Sequence, residues 1–204
     1  IMDRMTSPGA SLHLGAAVHD GGVTFRVWAP RCRTLDVVVE GRGPLAMAPL
    51  PEGFFEAHVP GLRAGTRYRY RLHDRRGGAR ERPDPASRFQ PEGVHGPSAA
   101  VDPGAFAWTD RTFAGHALAD LVIYEVHVGT FTPAGTFEAV IGHLPGLVEL
   151  GVTALELMPV AEFPGARNWG YDGVFPSAAQ DSYGGPDAFR RFVDAAHRRG
   201  IAVV

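Results

Sequence analysis

The chain has 204 residues, 45% of them hydrophobic and 21% charged, an ordinary globular composition long enough for one large domain or two small ones. Its 20 basic residues are all arginines, scattered but for short runs at Arg75-Arg76, Arg190-Arg191 and Arg198-Arg199; with a formal net charge of −2 this lacks the clustered basic face of a nucleic-acid binder. No apolar run follows a basic start in Ile1–Pro8, no stretch approaches a membrane span, and a single cysteine, Cys32, leaves no internal disulfide, so the sequence reads as soluble and cytoplasmic, with no nucleic-acid and no membrane partner.

Residues 1–10 are expected to be disordered, and residues 11–80 to form an all-β domain. Val23, Phe25 and Val27 alternate with Thr24, Arg26 and Trp28, the period-two pattern of a half-buried strand. Leu35–Val39 and Phe54–Val59 are further short apolar runs, the latter bracketed by Pro51-Glu52-Gly53 and Pro60-Gly61. Arg67–Leu72 sets Tyr68, Tyr70 and Leu72 on one face and three arginines on the other. Short strands, regular turns and no helical periodicity predict a small immunoglobulin-like β-sandwich.

From 81 to 120 the texture changes. Prolines at 83, 85, 91, 97 and 103 preclude a regular helix or a central strand over most of this segment. Phe89, Phe106, Trp108 and Phe113 ask for burial, so it reads as a proline-rich connector packed against both neighbours.

Leu121–Tyr124 is apolar on both faces, as a buried parallel strand would be. Thr136 caps a helix to about Leu150, with Phe137, Val140, Ile141, Leu144, Leu147 and Val148 on its inner stripe and Pro145 kinking or splitting it. Val152–Met158 is the next strand, and a long loop runs from Pro159 to Gly185. Pro186 then opens a helix with Phe189, Phe192, Val193 and Ala196 inward, Gly200 ends it, and Ile201–Val204 begins another strand. This is a βαβαβ run with right-handed crossovers. A closed (β/α)₈ TIM barrel takes about 250 residues, so residues 121–204 are expected to form only the first portion of one.

The loop Glu162–Val174 carries the chemical signal. Loops at the carboxyl ends of barrel strands build active sites, and this one brings Trp169 and Tyr171 together with Asp172. Aromatic rings cover the C–H faces of a sugar while a carboxylate accepts its hydroxyls. The same rings would serve equally to pin a long loop, and local chemistry leaves both readings open. Glu156 and Glu162 invite a catalytic pairing, but Glu156 lies within a strand, and the structural reading is preferred for both. His127 and Glu125 read as a structural pair on one strand face; with no third ligand at a suitable spacing, no metal and no cofactor are predicted. His95 and His197 read as connector and helix-surface residues, and Cys32 as a passive thiol.

Asn168-Trp169-Gly170-Tyr171-Asp172-Gly173, Tyr183-Gly184-Gly185-Pro186, His197–Ile201 and Leu155–Val160 together resemble the second and third barrel segments of the α-amylase family of glycoside hydrolases. Within it, Arg82–Ser98 and Tyr124–Pro133 are similar to the corresponding stretches of the malto-oligosyltrehalose trehalohydrolases. The resemblance implies a retaining α-glucan hydrolase that cleaves the α-1,4 bond next to a terminal trehalose. Its aspartate nucleophile, its glutamate acid/base and a further aspartate lie on the fourth, fifth and seventh strands. No catalytic residue is therefore expected within 1–204, and this stretch alone is predicted inactive. The resemblance further implies that Tyr171 stacks on the glucose just before the cut, with Trp169 and Asp172 flanking it. It also implies that the sandwich shapes the near end of the cleft, with Arg88 and Phe89 of the connector as its contacts, and that Trp28 is either a sugar contact or inter-domain packing. The implied partner is malto-oligosyltrehalose or a related α-glucan, with a pathway link to malto-oligosyltrehalose synthase but no evident complex. The alternatives are the front part of a glycogen branching enzyme or a non-catalytic glucan-binding module.

Overall fold

The computed structural model describes residues 13–74 and 77–204, so the expectation for residues 1–10 and the Arg75-Arg76 run lie outside the described residues. Two antiparallel sheets open the chain. The first has the order β1-β2-β6-β5, from Gly15–His19 (β1), Gly22–Trp28 (β2), Ala48–Pro49 (β5) and Phe54–Pro60 (β6). The second has the order β4-β3-β7-β8, from Thr34–Val39 (β3), Gly43–Ala46 (β4), Arg67–His73 (β7) and Ala79–Arg82 (β8), with Ser98–Ala99 (β9) also paired to β7. The alternation in β2 places Val23, Phe25 and Val27 inside, opposite Val37, Tyr68 and Tyr70 of the second sheet. A carboxylate sits at the edge of this core. Asp84 is fully buried; it accepts Tyr68 Oη–H at 2.6 Å and, at Oδ1, Ala86 N–H at 2.8 Å. Burial pushes its carboxyl above the usual range, against the pull of those hydrogen bonds.

The connector is pinned at both ends. Ala100 N–H donates to Thr66 O on the sandwich side. On the other side Thr109 donates twice to Asp194, Asp110 Oδ2 meets His197 Nδ1 at 2.6 Å, and Phe113 stacks on the His197 ring at 4.3 Å. His197 is thus half-buried in this junction rather than a surface residue. Trp108 is 40% exposed, against the expected burial, with Phe106 edge-on to its ring at 4.8 Å.

A three-stranded parallel sheet follows, β10-β11-β14, from Ile123–Val126 (β10), Ala154–Leu157 (β11) and Ala202–Val203 (β14). Among the described residues four α-helices accompany it: Val128–Phe131 (α1), Phe137–Ile141 (α2), Leu144–Glu149 (α3) and Gly185–His197 (α4). Thr136 Oγ1 caps α2 by accepting Ala139 N–H, and the helical stretch breaks before Pro145, giving two short helices. Phe137, Leu144, Leu155, Phe163, Phe192 and Ile201 form the core between sheet and helices.

The sheet's other face is open, as follows from the expectation of only a first barrel portion, although the run 121–124 taken by itself reads as buried on both faces. Val122 is 53% and Ile123 51% exposed, because β10 pairs only with β11 among the described residues. Val148 is likewise 43% exposed, on the rim of the helical stripe rather than within it. The stretch expected as one long loop contains a hairpin, Ala161–Glu162 (β12) against Phe175–Ala179 (β13). Neither strand has the length or the alternation that would make it readable in sequence.

Candidate active-site loop

The hairpin is the base from which the aromatic loop rises at the carboxyl end of β11. Glu162 O accepts Val174 N–H at 2.7 Å and closes the neck. Below the neck, Gln180 is buried; its Oε1 accepts Phe163 N–H at 2.8 Å, and its Nε2 donates to Gly165 O and Ser182 Oγ at 3.0 Å each. Glu162 Oε2 accepts Asp181 N–H at 2.7 Å. Burial pushes the Glu162 carboxyl up to about 7; that hydrogen bond opposes the shift, and the nearby Asp181 charge reinforces it. Glu162 is thus part of the loop's anchorage.

Within the loop, Asn168 is the organiser. Its Oδ1 accepts Gly170 N–H at 2.5 Å, and its Nδ2 donates to Asp172 Oδ2 at 3.1 Å. Gly170 has φ +97°, and a Cβ there would lie 3.0 Å from Pro159 O, so a side chain is opposed by both backbone and space. His127 secures the loop from the first strand: Nε2–H donates to Asn168 O at 2.6 Å, and Nδ1 lies 3.2 Å from Thr130 Oγ1. That carbonyl can only accept, which places the proton on Nε2. The expected His127–Glu125 pairing is replaced by this cross-loop bond, which no sequence spacing announces because its partner is a backbone carbonyl 41 residues away.

The sequence-named residues are placed as follows. Trp169 is 81% and Tyr171 71% exposed, and Asp172 is exposed on the same turn, its carboxylate held by Asn168. Trp169 lines a cavity of about 500 Å³ with His127, Thr130, Met158, Arg167 and Asn168; Tyr171 and Asp172 are not among its walls. Both rings are thus mostly exposed on a turn framed by Asn168. Glu156 is exposed in β11, in register with Glu125 of β10, while Glu162 is buried in the hairpin six residues on. Sequence reasoning missed the anchoring roles of Gln180 and Asn168, whose signal is a side-chain amide, at once donor and acceptor, beside a glycine-containing loop. Among the described residues no group of three or more His, Cys, Asp or Glu is disposed to hold a metal ion, and no helix is long and apolar enough to cross a membrane.

Comparison with known proteins agrees with this geometry. Carbohydrate-binding module 48 (isoamylase N-terminal domain) matches residues 13–87, and the alpha amylase catalytic domain matches residues 100–204. The chain is 49% identical over 190 residues to the malto-oligosyltrehalose trehalohydrolase of Saccharolobus solfataricus, covering 93% of this chain and 33% of that protein. It is 46% identical over 192 residues to the enzyme of the same name from Deinococcus radiodurans, covering 93% and 31%. A 1,4-alpha-glucan branching enzyme of Corynebacterium jeikeium is more distant, 34% identical over 202 residues, covering 94% and 28%. A crystal structure from Salmonella typhimurium, provisionally named an alpha amylase, superposes with a TM-score of 0.87 at 44% identity, covering 94% of this chain and 32% of that one. The chain thus spans about a third of the length of these relatives. With an incomplete (β/α)₈ segment behind a β-sandwich and a catalytic-domain match over residues 100–204, the chain belongs to the α-amylase family.

Proposed function

We propose that the chain is the front part of a retaining hydrolase that cleaves the α-1,4 bond next to the terminal trehalose of malto-oligosyltrehalose and releases free trehalose. The carrying observation is the hydrogen-bonded, exposed Trp169–Tyr171–Asp172 turn at the carboxyl end of β11. The names of the 49% and 46% identical relatives supply the bond. In this reading Tyr171 stacks on the glucose just before the cut, Trp169 covers a neighbouring face, and Asp172 accepts a hydroxyl. A retaining mechanism needs two carboxylates about 5–5.5 Å apart. Residues 1–204 bind and orient, while the carboxylates that cut lie on later strands of the longer polypeptide. The domain reading belongs to the same proposal: 11–80 as accessory sandwich, 81–120 as connector and 121–204 as the start of the barrel. So do a cytoplasmic location and a pathway link to malto-oligosyltrehalose synthase through a diffusing intermediate. The more distant branching-enzyme relative keeps one rival, formation of α-1,6 linkages.

The test is release of free trehalose from malto-oligosyltrehalose by the full-length polypeptide. Tyr171→Ala should lower kcat/KM by about tenfold or more, the loss of one stacked ring in a cleft. No trehalose from the intact protein, with new α-1,6 branches in its place, would sink the reading in favour of branching.

A further inference from the structure

The turn between β2 and β3 and the edge strand β8 meet over a cavity of about 380 Å³ at the rim of the sandwich. Its walls are Arg31 and Cys32 of the turn, Leu72 of β7, Asp74, and Arg80 and Arg82 of β8. Arginines that read as scattered in the sequence are thus gathered by the fold. Arg80 lies opposite Leu72 and Arg82 opposite Tyr70, so both rise on the core-side face of β8, beyond the last paired strand. Arg31 reaches the same cavity because its turn is fixed. Cys32 N–H donates to Ala29 O at 3.0 Å, and Arg33 N–H donates to His73 O at 3.1 Å.

The charges around this cavity do not balance. Elsewhere Arg26, Arg67, Arg71, Arg190, Arg191 and Arg198 each meet a carboxylate. Among the described residues Arg31 and Arg80 make no side-chain hydrogen bond or ion pair, and Arg82 donates only to Glu81 O, at 2.8 Å. Asp74 is the one carboxylate in the walls, and its Oδ1 already accepts Gly78 N–H at 2.9 Å. Cys32 adds no negative charge, since burial pushes its thiol up. Three guanidinium groups therefore face one carboxylate across a space of small-ligand size. Charges on an edge strand guard it against pairing with another sheet, which accounts for Arg80 and Arg82. That does not account for Arg31, which lies on no strand and adds to the repulsion. Leu72 and the Cys32 side chain, both packed against the sandwich core, give the cavity an apolar floor.

We propose that this cavity is a binding site for a small phosphorylated molecule, its phosphate held by Arg31, Arg80 and Arg82 and its body resting on Leu72 and Cys32. A phosphate ester brings about two negative charges, and its oxygens are spaced to take two parallel hydrogen bonds from a guanidinium fork. It offsets the excess positive charge and joins the β2–β3 turn to the edge strand. A small ligand is favoured over an acidic protein segment because the unpaired arginines line one cavity. A protein partner would need about 800 Å² of surface from this side.

The experiment titrates the full-length protein with pyrophosphate at constant ionic strength, read by calorimetry, and follows alkylation of Cys32 by iodoacetamide through peptide mass mapping. Pyrophosphate should bind with a Kd below about 1 mM. At a few times that Kd it should slow alkylation of Cys32 about threefold or more, because the thiol lines the cavity. Arg31→Gln and Arg80→Gln should each weaken binding about tenfold, the loss of one charged donor. Arg63→Gln, at an exposed arginine outside the cavity, should leave binding unchanged, and circular dichroism should be the same for all three variants. Heat that does not saturate, an equal loss with Arg63→Gln, or Cys32 alkylation indifferent to pyrophosphate overturns the site. Binding of a polyglutamate peptide without binding of pyrophosphate also overturns it, and makes the arginines a docking surface for an acidic protein.

Discussion

The sandwich and the barrel segment both bury a core of similar make-up, yet only one closes around it. In the sandwich two sheets face each other, and Val23, Phe25 and Val37 are wholly inaccessible between them. In the barrel segment helices cover one face of three parallel strands. Leu155 and Ile201 are buried there, while Ile123, Tyr124 and the Glu125–Glu156 rung look outward on β10 and β11. A sheet with one covered face and an open edge depends on further strands; a sandwich does not. Sequence texture already separates the two, by alternation in β2 and β7 against a run apolar on both faces at 121–124. What differs is whether the second face finds a partner.

The sharpest way to break that contrast is amide exchange on a polypeptide of residues 1–204. Amides of β2, β3, β6 and β7 should exchange at least about a hundredfold more slowly than those of β10 and β14, because local opening is easiest where backbone bonds meet solvent. Uniform protection across both regions would defeat the comparison. Next in size comes a pair of substitutions read by denaturant unfolding. Phe25→Ala should cost about 3–5 kcal/mol, as a filled core position, and Ile123→Ala no more than about 0.5 kcal/mol, as a half-exposed edge position. In the full-length protein the Ile123 change should rise to about 2–5 kcal/mol if later strands cover it; an unchanged small cost would mean that they do not.

The smallest effect is a pH dependence at the loop's root. Burial raises the Glu162 carboxyl from 4.5 to about 7. Between those values the folded chain holds a proton that the unfolded chain has released, so the contribution of Glu162 to stability is full below 4.5 and falls as pH rises through 7. Gln cannot ionise and still offers an oxygen to Asp181 N–H. Glu162→Gln should therefore gain thermal stability relative to the unmodified protein as pH rises from 5 toward about 7, and level off above. A difference in Tm that does not change with pH would show that Glu162 stays ionised throughout.

How legible the site was depends on the kind of residue. Trp169, Tyr171 and Asp172 stand out because aromatic rings next to a carboxylate in a glycine-flanked loop are a local pattern. Their supports are not local. His127 reaches Asn168 O across 41 residues, and Gln180 reaches Phe163 N–H across 17, each pairing a side chain with a backbone group that any residue would provide. His197 shows the same limit, since its surroundings come from Asp110 and Phe113 of the connector.

By itself the sequence determined the strand alternation of β2 and β7, the break before Pro145, the helix opened at Pro186 and the family, because these rest on periodicity, backbone restriction and short contiguous motifs. Only the tertiary structure decided that a hairpin carries the aromatic loop and that Trp28 faces water on an indole tied to Glu52 O. Each of those depends on which distant group arrives at a given face, and a one-dimensional pattern holds no record of that.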